Sequence, residues 1–157
     1  MLQVRGHWVA SSYWGGAGAD AFTEDGWFST GDVAAIDEKG YLRLTDRTKD
    51  VIKSGGEWIS SIDLENIAMS HPDVLEAACI AGKHKRWVER PLIVAVKRPG
   101  STVTRDDVLA LYDGQIAKWW TPDDVTFQAE LPHTATGKVS KLHLREQYAD
   151  YKLPTDN

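Results

Sequence analysis

The sequence predicts an α/β protein of the mixed α+β kind: a small domain with a three-stranded sheet and about three helices, preceded by a β-rich lobe. Three observations predict this. Val74 to Ala81 and Leu92 to Val96 are nearly unbroken apolar runs, the pattern of strands covered on both faces. Segments with helical spacing alternate with such runs from about residue 61 onward. Before Asp46 the chain is instead short, alternating and rich in turn residues.

Taken in order, Leu2-Gln3-Val4-Arg5-Gly6 reads as a short strand and His7-Trp8-Val9-Ala10 as a second apolar piece. Gly15-Gly16-Ala17-Gly18-Ala19 reads as a flexible connector. Val33 to Asp37 and Tyr41 to Leu44 form strands around a Glu38-Lys39-Gly40 turn. Next come Asp50-Val51-Ile52 and Trp58-Ile59, the arms of a hairpin with Ser54-Gly55-Gly56 near its tip. Ser61 and Asp63 offer cap oxygens to a helix that carries Leu64, Ile67 and Ala68 and ends near Pro72. A second helix starts near Thr104 and holds Val108, Leu109, Leu111 and Ile116. Val125 to Ala129 is the third strand, and a last helix begins near Ser140 with Leu142, Leu144 and Tyr148. The tail from Lys152 is polar and expected to fray.

Composition bounds the function. A chain of 157 residues buries one modest core with room for an extra lobe. Its formal net charge of −5 argues against a general nucleic-acid-binding surface. The one cysteine, Cys79, lies in an apolar run and reads as a small core hydrophobe, which suits a reducing cytoplasmic setting. No apolar segment is long enough to span a bilayer. The five histidines show no ligand spacing, so no protein-held metal is expected.

Charge concentrates around the glycine hairpin. Arg47, Lys49 and Lys53 surround its tip, a setting for a phosphate or carboxylate ligand. An ordinary surface hairpin with solvated charges fits the same spacing. Lys83-His84-Lys85-Arg86-Trp87 is a second basic cluster, either an anion site or a solvated loop. Pro132-His133-Thr134-Ala135-Thr136-Gly137-Lys138 ends in a loop lysine. It is not a P-loop, because Pro132 stands where that motif needs glycine.

Three motifs in one order resemble the adenylate-forming, AMP-dependent acyl-CoA synthetases: Ser29-Thr30-Gly31-Asp32, the segment Thr45 to Ser60, and Pro132 to Val139. The Ser-Gly-Gly-Glu-Trp-Ile-Ser wording is most similar to the medium- and long-chain fatty-acid branch. The resemblance implies a two-step reaction. A carboxylate attacks the α-phosphate of ATP to give an acyl-adenylate and pyrophosphate; the thiol of coenzyme A then displaces AMP. It further implies that the C-terminal domain rotates between the steps.

Residue roles follow from the match. Asp32 binds the ribose hydroxyls, and Arg47 contacts the ribose or phosphate of the nucleotide. Lys49 is the hinge. Lys138 carries the adenylation step. Lys53 lies near the thioester-forming centre, with Gly55, Gly56, Glu57 and Trp58 on the face that meets the pantetheine arm. Mg2+ enters with ATP, held through its phosphates.

Residues 1–46 are then expected to be the tail end of a large N-terminal adenylation domain, and residues 47–157 the mobile C-terminal domain. The phosphate-binding loop, the adenine-binding motif and the acyl pocket would lie upstream, so the isolated chain is expected to be inactive as a ligase. Its partners would be the carboxylic or fatty acid substrate and the missing N-terminal domain, with self-association through uncovered apolar surface. The competing reading is a stand-alone docking or regulatory module that complements a separate N-terminal half or binds a carrier protein. A third, a peptide-synthetase adenylation piece, predicts a following carrier domain.

Overall fold

The computed structural model describes residues 1–156. The chain forms two compact units that divide between Lys49 and Asp50.

The first unit is built from two antiparallel strand pairs. β1 (Gln3–Val4) pairs with β2 (Phe28–Ser29), and β3 (Asp32–Ile36) pairs with β4 (Leu42–Arg47). Gly40, at φ 83°, closes the turn between β3 and β4, and Asp37 Oδ1 accepts the amides of Lys39 and Tyr41 at 2.9 and 2.8 Å. Tyr13, Phe22 and Phe28 form a small aromatic cluster. The expected apolar piece at His7–Ala10 is not a strand, and the Trp8 side chain is fully exposed. The boundary expected after Asp46 falls inside β4. Arg47 is still laddered to Asp32, so the strand carries the first unit beyond that point.

The second unit centres on one sheet. β5 (Ile52–Ser54) and β6 (Glu57–Ile59) form the glycine hairpin, β7 (Val74–His84) and β8 (Val88–Lys97) a long antiparallel ladder, and β9 (Asp124–Gln128) runs parallel to β8. Three of these strands, β7, β8 and β9, are those the sequence predicts. The hairpin joins them through the Ser54–Val88 pairing, giving a five-stranded sheet. A backbone pairing across 34 residues leaves no trace in local periodicity.

Helices cover both faces. On one, α1 (Ser61–Met69) and α2 (Arg105–Ala110) pack Leu64, Ala68 and Val108 against Ile52, Ile59, Cys79, Ile93 and Val125. On the other, α3 (Lys141–Gln147) packs Leu144 against Ala78, Ile80, Leu92 and Val94. Alternate β8 residues feed alternate cores, which is why its sequence is apolar without a break.

The caps are local. Ser60, rather than Ser61 or Asp63, caps α1 by accepting the Asp63 amide at 3.2 Å. Thr104 and Asp107 form a reciprocal capping box on α2. α2 stops well short of Ile116. Tyr112 turns into the core, where its hydroxyl donates to the Leu64 carbonyl at 2.8 Å, and Gly114 then takes φ 71°.

The tail does not fray through Asp156. Leu153 is buried against Gly82, Tyr151 Oη donates to Asp124 Oδ2 at 2.5 Å, and Thr155 Oγ1 donates to Asp123 Oδ2. Asp123 and Asp124 are themselves paired with Arg90 and Arg105. The tail is held because it satisfies the remaining oxygens of two buried carboxylates, a long-range debt that its polar composition conceals.

Candidate functional site

The expected site residues fall into three groups. In the first unit, the β3–β4 register sets Asp32 opposite Arg47, and Arg47 Nε donates to Asp32 Oδ1 at 3.2 Å. Gly31, at φ 79°, turns the chain into β3, and the Thr30 hydroxyl accepts the Asp32 amide. Arg47 is 64% exposed in its side chain against 25% for Asp32, so the pair presents a cation outward. Lys49 is exposed and is the last residue before the division between the units. Just past it, Asp50 is tied to Arg145 of α3 at 2.7 Å.

The second group lies at the glycine hairpin. Gly55 and Gly56 both have positive φ, 59° and 91°, as a two-residue turn between twisted strands requires. Gly55 also needs its missing side chain: a Cβ there would stand 2.8 Å from Trp87 Cε3, and its amide donates to the Trp87 carbonyl at 2.9 Å. Ile52 and Ile59 sink into the core, which turns Lys53 and Trp58 to the exposed face of the hairpin. Ser54 and Glu57 face a groove of about 820 Å³. The groove therefore takes Gly55 and Glu57 of the expected residues; Lys53 and Trp58 lie across the hairpin from it.

That groove sets the second basic stretch against the glycine hairpin. Lys85, Arg86 and Trp87 form the turn between β7 and β8 and line it, with Arg86 stacked over the Trp87 ring at 4.5 Å. Val88, which follows, has φ 70°, a strained value for a β-branched residue and the mark of a tightly specified turn. His84 Nδ1 accepts the amides of Arg86 and Trp87 at 3.1 and 3.3 Å. The same nitrogen lies 3.8 Å from Asp156 Oδ1. Lys85 donates to Asp156 through both its amide, at 2.7 Å, and its ammonium, at 3.1 Å.

Sequence reasoning missed what braces this groove. Arg90 reaches Asp123 Oδ1 at 2.6 Å, Ser54 Oγ at 3.2 Å, and the carbonyls of Trp119 and Thr121 at 2.7 and 2.9 Å. Beside it, Glu89 accepts the Lys53 amide at 2.8 Å. The adjacent acids Asp123-Asp124 were the available signal; which cations they meet was not.

The third group is the Lys138 loop. His133 and Val139 bridge across it, Thr134 N donates to the Lys138 carbonyl at 2.7 Å, and Gly137, at φ 78°, donates to the Thr134 carbonyl at 2.9 Å. The Lys138 side chain is exposed and makes no ion pair among the described residues. His133 Nε2 lies 3.0 Å from Glu76 Oε1, near the start of β7. The glycine hairpin meets the sheet at the far end of the same ladder, where Val88 pairs with both Ser54 and His84. From Glu76 to His84 is about 26 Å at roughly 3.3 Å per strand residue. The lysine loop and the glycine hairpin thus stand at opposite ends of one rigid ladder.

The domain thus presents an exposed lysine at one end of the ladder and, at the other, a groove lined by Lys85, Arg86 and Arg90 together with Glu57, Asp123 and Asp156. The chain carries the C-terminal domain of the AMP-binding enzymes: residues 63–138 match the AMP-binding enzyme C-terminal domain. It is 55% identical to the 3-methylmercaptopropionyl-CoA ligase of Ruegeria pomeroyi over 149 residues, which is 95% of this chain and 28% of that protein. It is 49% identical to the medium-chain-fatty-acid–CoA ligase of Ectopseudomonas oleovorans, over 97% of this chain and 28% of that protein. Among solved structures, it matches the Bacillus subtilis o-succinylbenzoate CoA synthetase in complex with its acyl-adenylate intermediate, with TM-score 0.83 and 30% identity over 91% of this chain and 29% of that one. ATP-bound MatB from Rhodopseudomonas palustris matches with TM-score 0.79 and 38% identity, over 85% and 27%. The chain therefore spans a little over a quarter of the length of the relatives it matches.

Among the described residues no group of three or more histidine, cysteine or acidic side chains is arranged to hold a metal ion, and no helix is long and apolar enough to cross a membrane.

Proposed function

We propose that this chain is the C-terminal part of an AMP-forming acyl-CoA ligase that converts a carboxylic or fatty acid, ATP and coenzyme A into an acyl-CoA, AMP and pyrophosphate. The observation that carries this is the separation of the two loops on one ladder. A single domain that works at both steps must present one loop at a time, and opposite ends make the two presentations exclusive.

In the first step Lys138 would reach the carboxylate and the α-phosphate and offset the negative charge that builds up between them. Its exposed ammonium, without an ion pair among the described residues, on a self-bonded loop suits that role. Asp32 and Arg47 would hold the nucleotide, the carboxylate taking ribose hydroxyls and the guanidinium a ribose or phosphate oxygen. Mg2+ would be held mainly by the ATP phosphates.

In the second step the domain turns about Lys49, supported by the unit division just after it. Gly55 and Gly56 would leave room for the pantetheine arm, and Lys53, Glu57 and Trp58 would flank it. Lys85 and Arg86 line the groove behind the hairpin, where cations suit the phosphates of coenzyme A. A larger N-terminal domain would supply the acyl pocket and cover the exposed Trp58, Trp87 and Trp119; without it those rings favour self-association. The reading places the enzyme in the cytoplasm, with fatty or substituted short-chain acids as its substrate class.

The test joins this chain to the N-terminal domain of the Ruegeria pomeroyi relative and follows each half-reaction. Lys138→Ala should lower pyrophosphate release by about 100-fold or more while thioester formation from supplied acyl-adenylate persists. Undiminished pyrophosphate release by Lys138→Ala rejects the assignment. The 157-residue chain alone should turn over no substrate.

A further inference from the structure

The Lys138 loop is bonded mostly to itself. Its base is closed by the Ser140 amide donating to the Pro132 carbonyl at 2.7 Å, and Val139 packs on the core under α3. The remaining polar tie from the loop to the sheet, among the described residues, is His133 Nε2 against Glu76 Oε1 at 3.0 Å, both side chains 36% exposed. Glu76 sits on β7 opposite Val96, just past the register shift that follows Val74, where the long β7–β8 pairing begins its unbroken run. A loop closed only at its base pivots; a second attachment fixes its angle. Lys138 lies next to Val139, the backbone partner of His133, so any tilt of the loop carries the ammonium with it.

We propose that the His133–Glu76 pair is a strut that holds the Lys138 loop at its working angle, which makes both residues positioning residues for the adenylation step. This rests on the reading of Lys138 given above. Neither residue need touch substrate: the pair acts by limiting how far the ammonium strays from its reacting partners. Displacement of a catalytic group by about 1 Å costs on the order of 100-fold, and a half-exposed pair should account for roughly a tenth of that range.

Two measurements test it. On the 157-residue chain itself, His133→Ala and Glu76→Ala should each speed hydrogen exchange of the Thr134 and Gly137 amides about tenfold, leaving the β7–β8 amides unchanged. In the joined enzyme, each variant should lose about tenfold in pyrophosphate release, and the double variant should be no worse than the poorer single one. Thioester formation from supplied acyl-adenylate should stay within about twofold, which a general loss of structure would not allow. His133→Arg keeps a donor for Glu76 and should restore adenylation. Unchanged loop exchange, equal losses in both half-reactions, or additive losses in the double variant overturn the strut. The two readings fail differently. Lys138→Ala at full rate removes the role of the lysine and of its strut together. Lys138→Ala inactive beside fully active His133→Ala and Glu76→Ala removes the strut alone.

Discussion

Replacing Arg90 by alanine should cost the second unit about 3–5 kcal/mol, the range for breaking a buried ion pair from one side. The estimate follows from what the change strands. The Arg90 side chain is 11% exposed and its partner Asp123 6%, so water cannot replace the guanidinium. Asp123 keeps its bond from Thr155 but loses the charge that balances it. Ser54 Oγ and the carbonyls of Trp119 and Thr121 lose a donor as well. Those acceptors belong to the glycine hairpin and to the segment leading into β9, so the damage should centre on the groove. Arg90→Lys keeps a charge but not the fork, and should recover about half the loss. The assay is urea unfolding followed by amide resonances of residues 50–156, so that melting of the first unit does not enter the measurement. A cycle with Asp123→Asn should return a coupling of about 2 kcal/mol. An Arg90→Ala variant within about 1 kcal/mol of the unmodified chain, or a coupling near zero, would refute the argument that this arginine braces the site.

Leu153→Ala should cost about 2–3 kcal/mol, because that side chain is 3% exposed and packs on β7; a change below about 0.5 kcal/mol in urea would mean the tail is free. Thr104→Ala removes the α2 capping box and should cost about 1 kcal/mol by the same measurement, with Thr104→Asn losing little. Burial first, and the Asp124 carboxylate second, push the Tyr151 hydroxyl up from 10 to about 12. A proton held more tightly in the folded state gives stability that is fully present below pH 10 and lost as pH climbs toward 12. Unfolding midpoints should therefore fall across that interval, and fall less steeply in Tyr151→Phe; parallel curves would remove Tyr151 as a cause. Gly55→Ala should displace the Trp87 ring, which a Cβ would approach to 2.8 Å; unchanged indole resonances of Trp87 would contradict this.

The features legible in the amino-acid order are those that short-range chemistry can specify. Gly55-Gly56 demanded a tight turn, and the turn set the register that buries Ile52 and Ile59. The unbroken apolar runs required two covered faces, and the sheet has them. The Thr104 box, the Ser140 cap and the self-bonded lysine loop likewise involve residues within a few positions of one another. Tertiary structure alone decided the rest, because it concerns pairs far apart in the chain. The joining of the hairpin to β8, the choice of Asp123 for Arg90 and Asp124 for Arg105, and the docking of the polar tail on those same acids are of this kind. So is the placing of the two loops at opposite ends of the β7–β8 ladder. The reason is physical: a turn or cap is stabilised by its own neighbours, whereas a buried charge accepts any partner of opposite sign that the completed fold brings within reach.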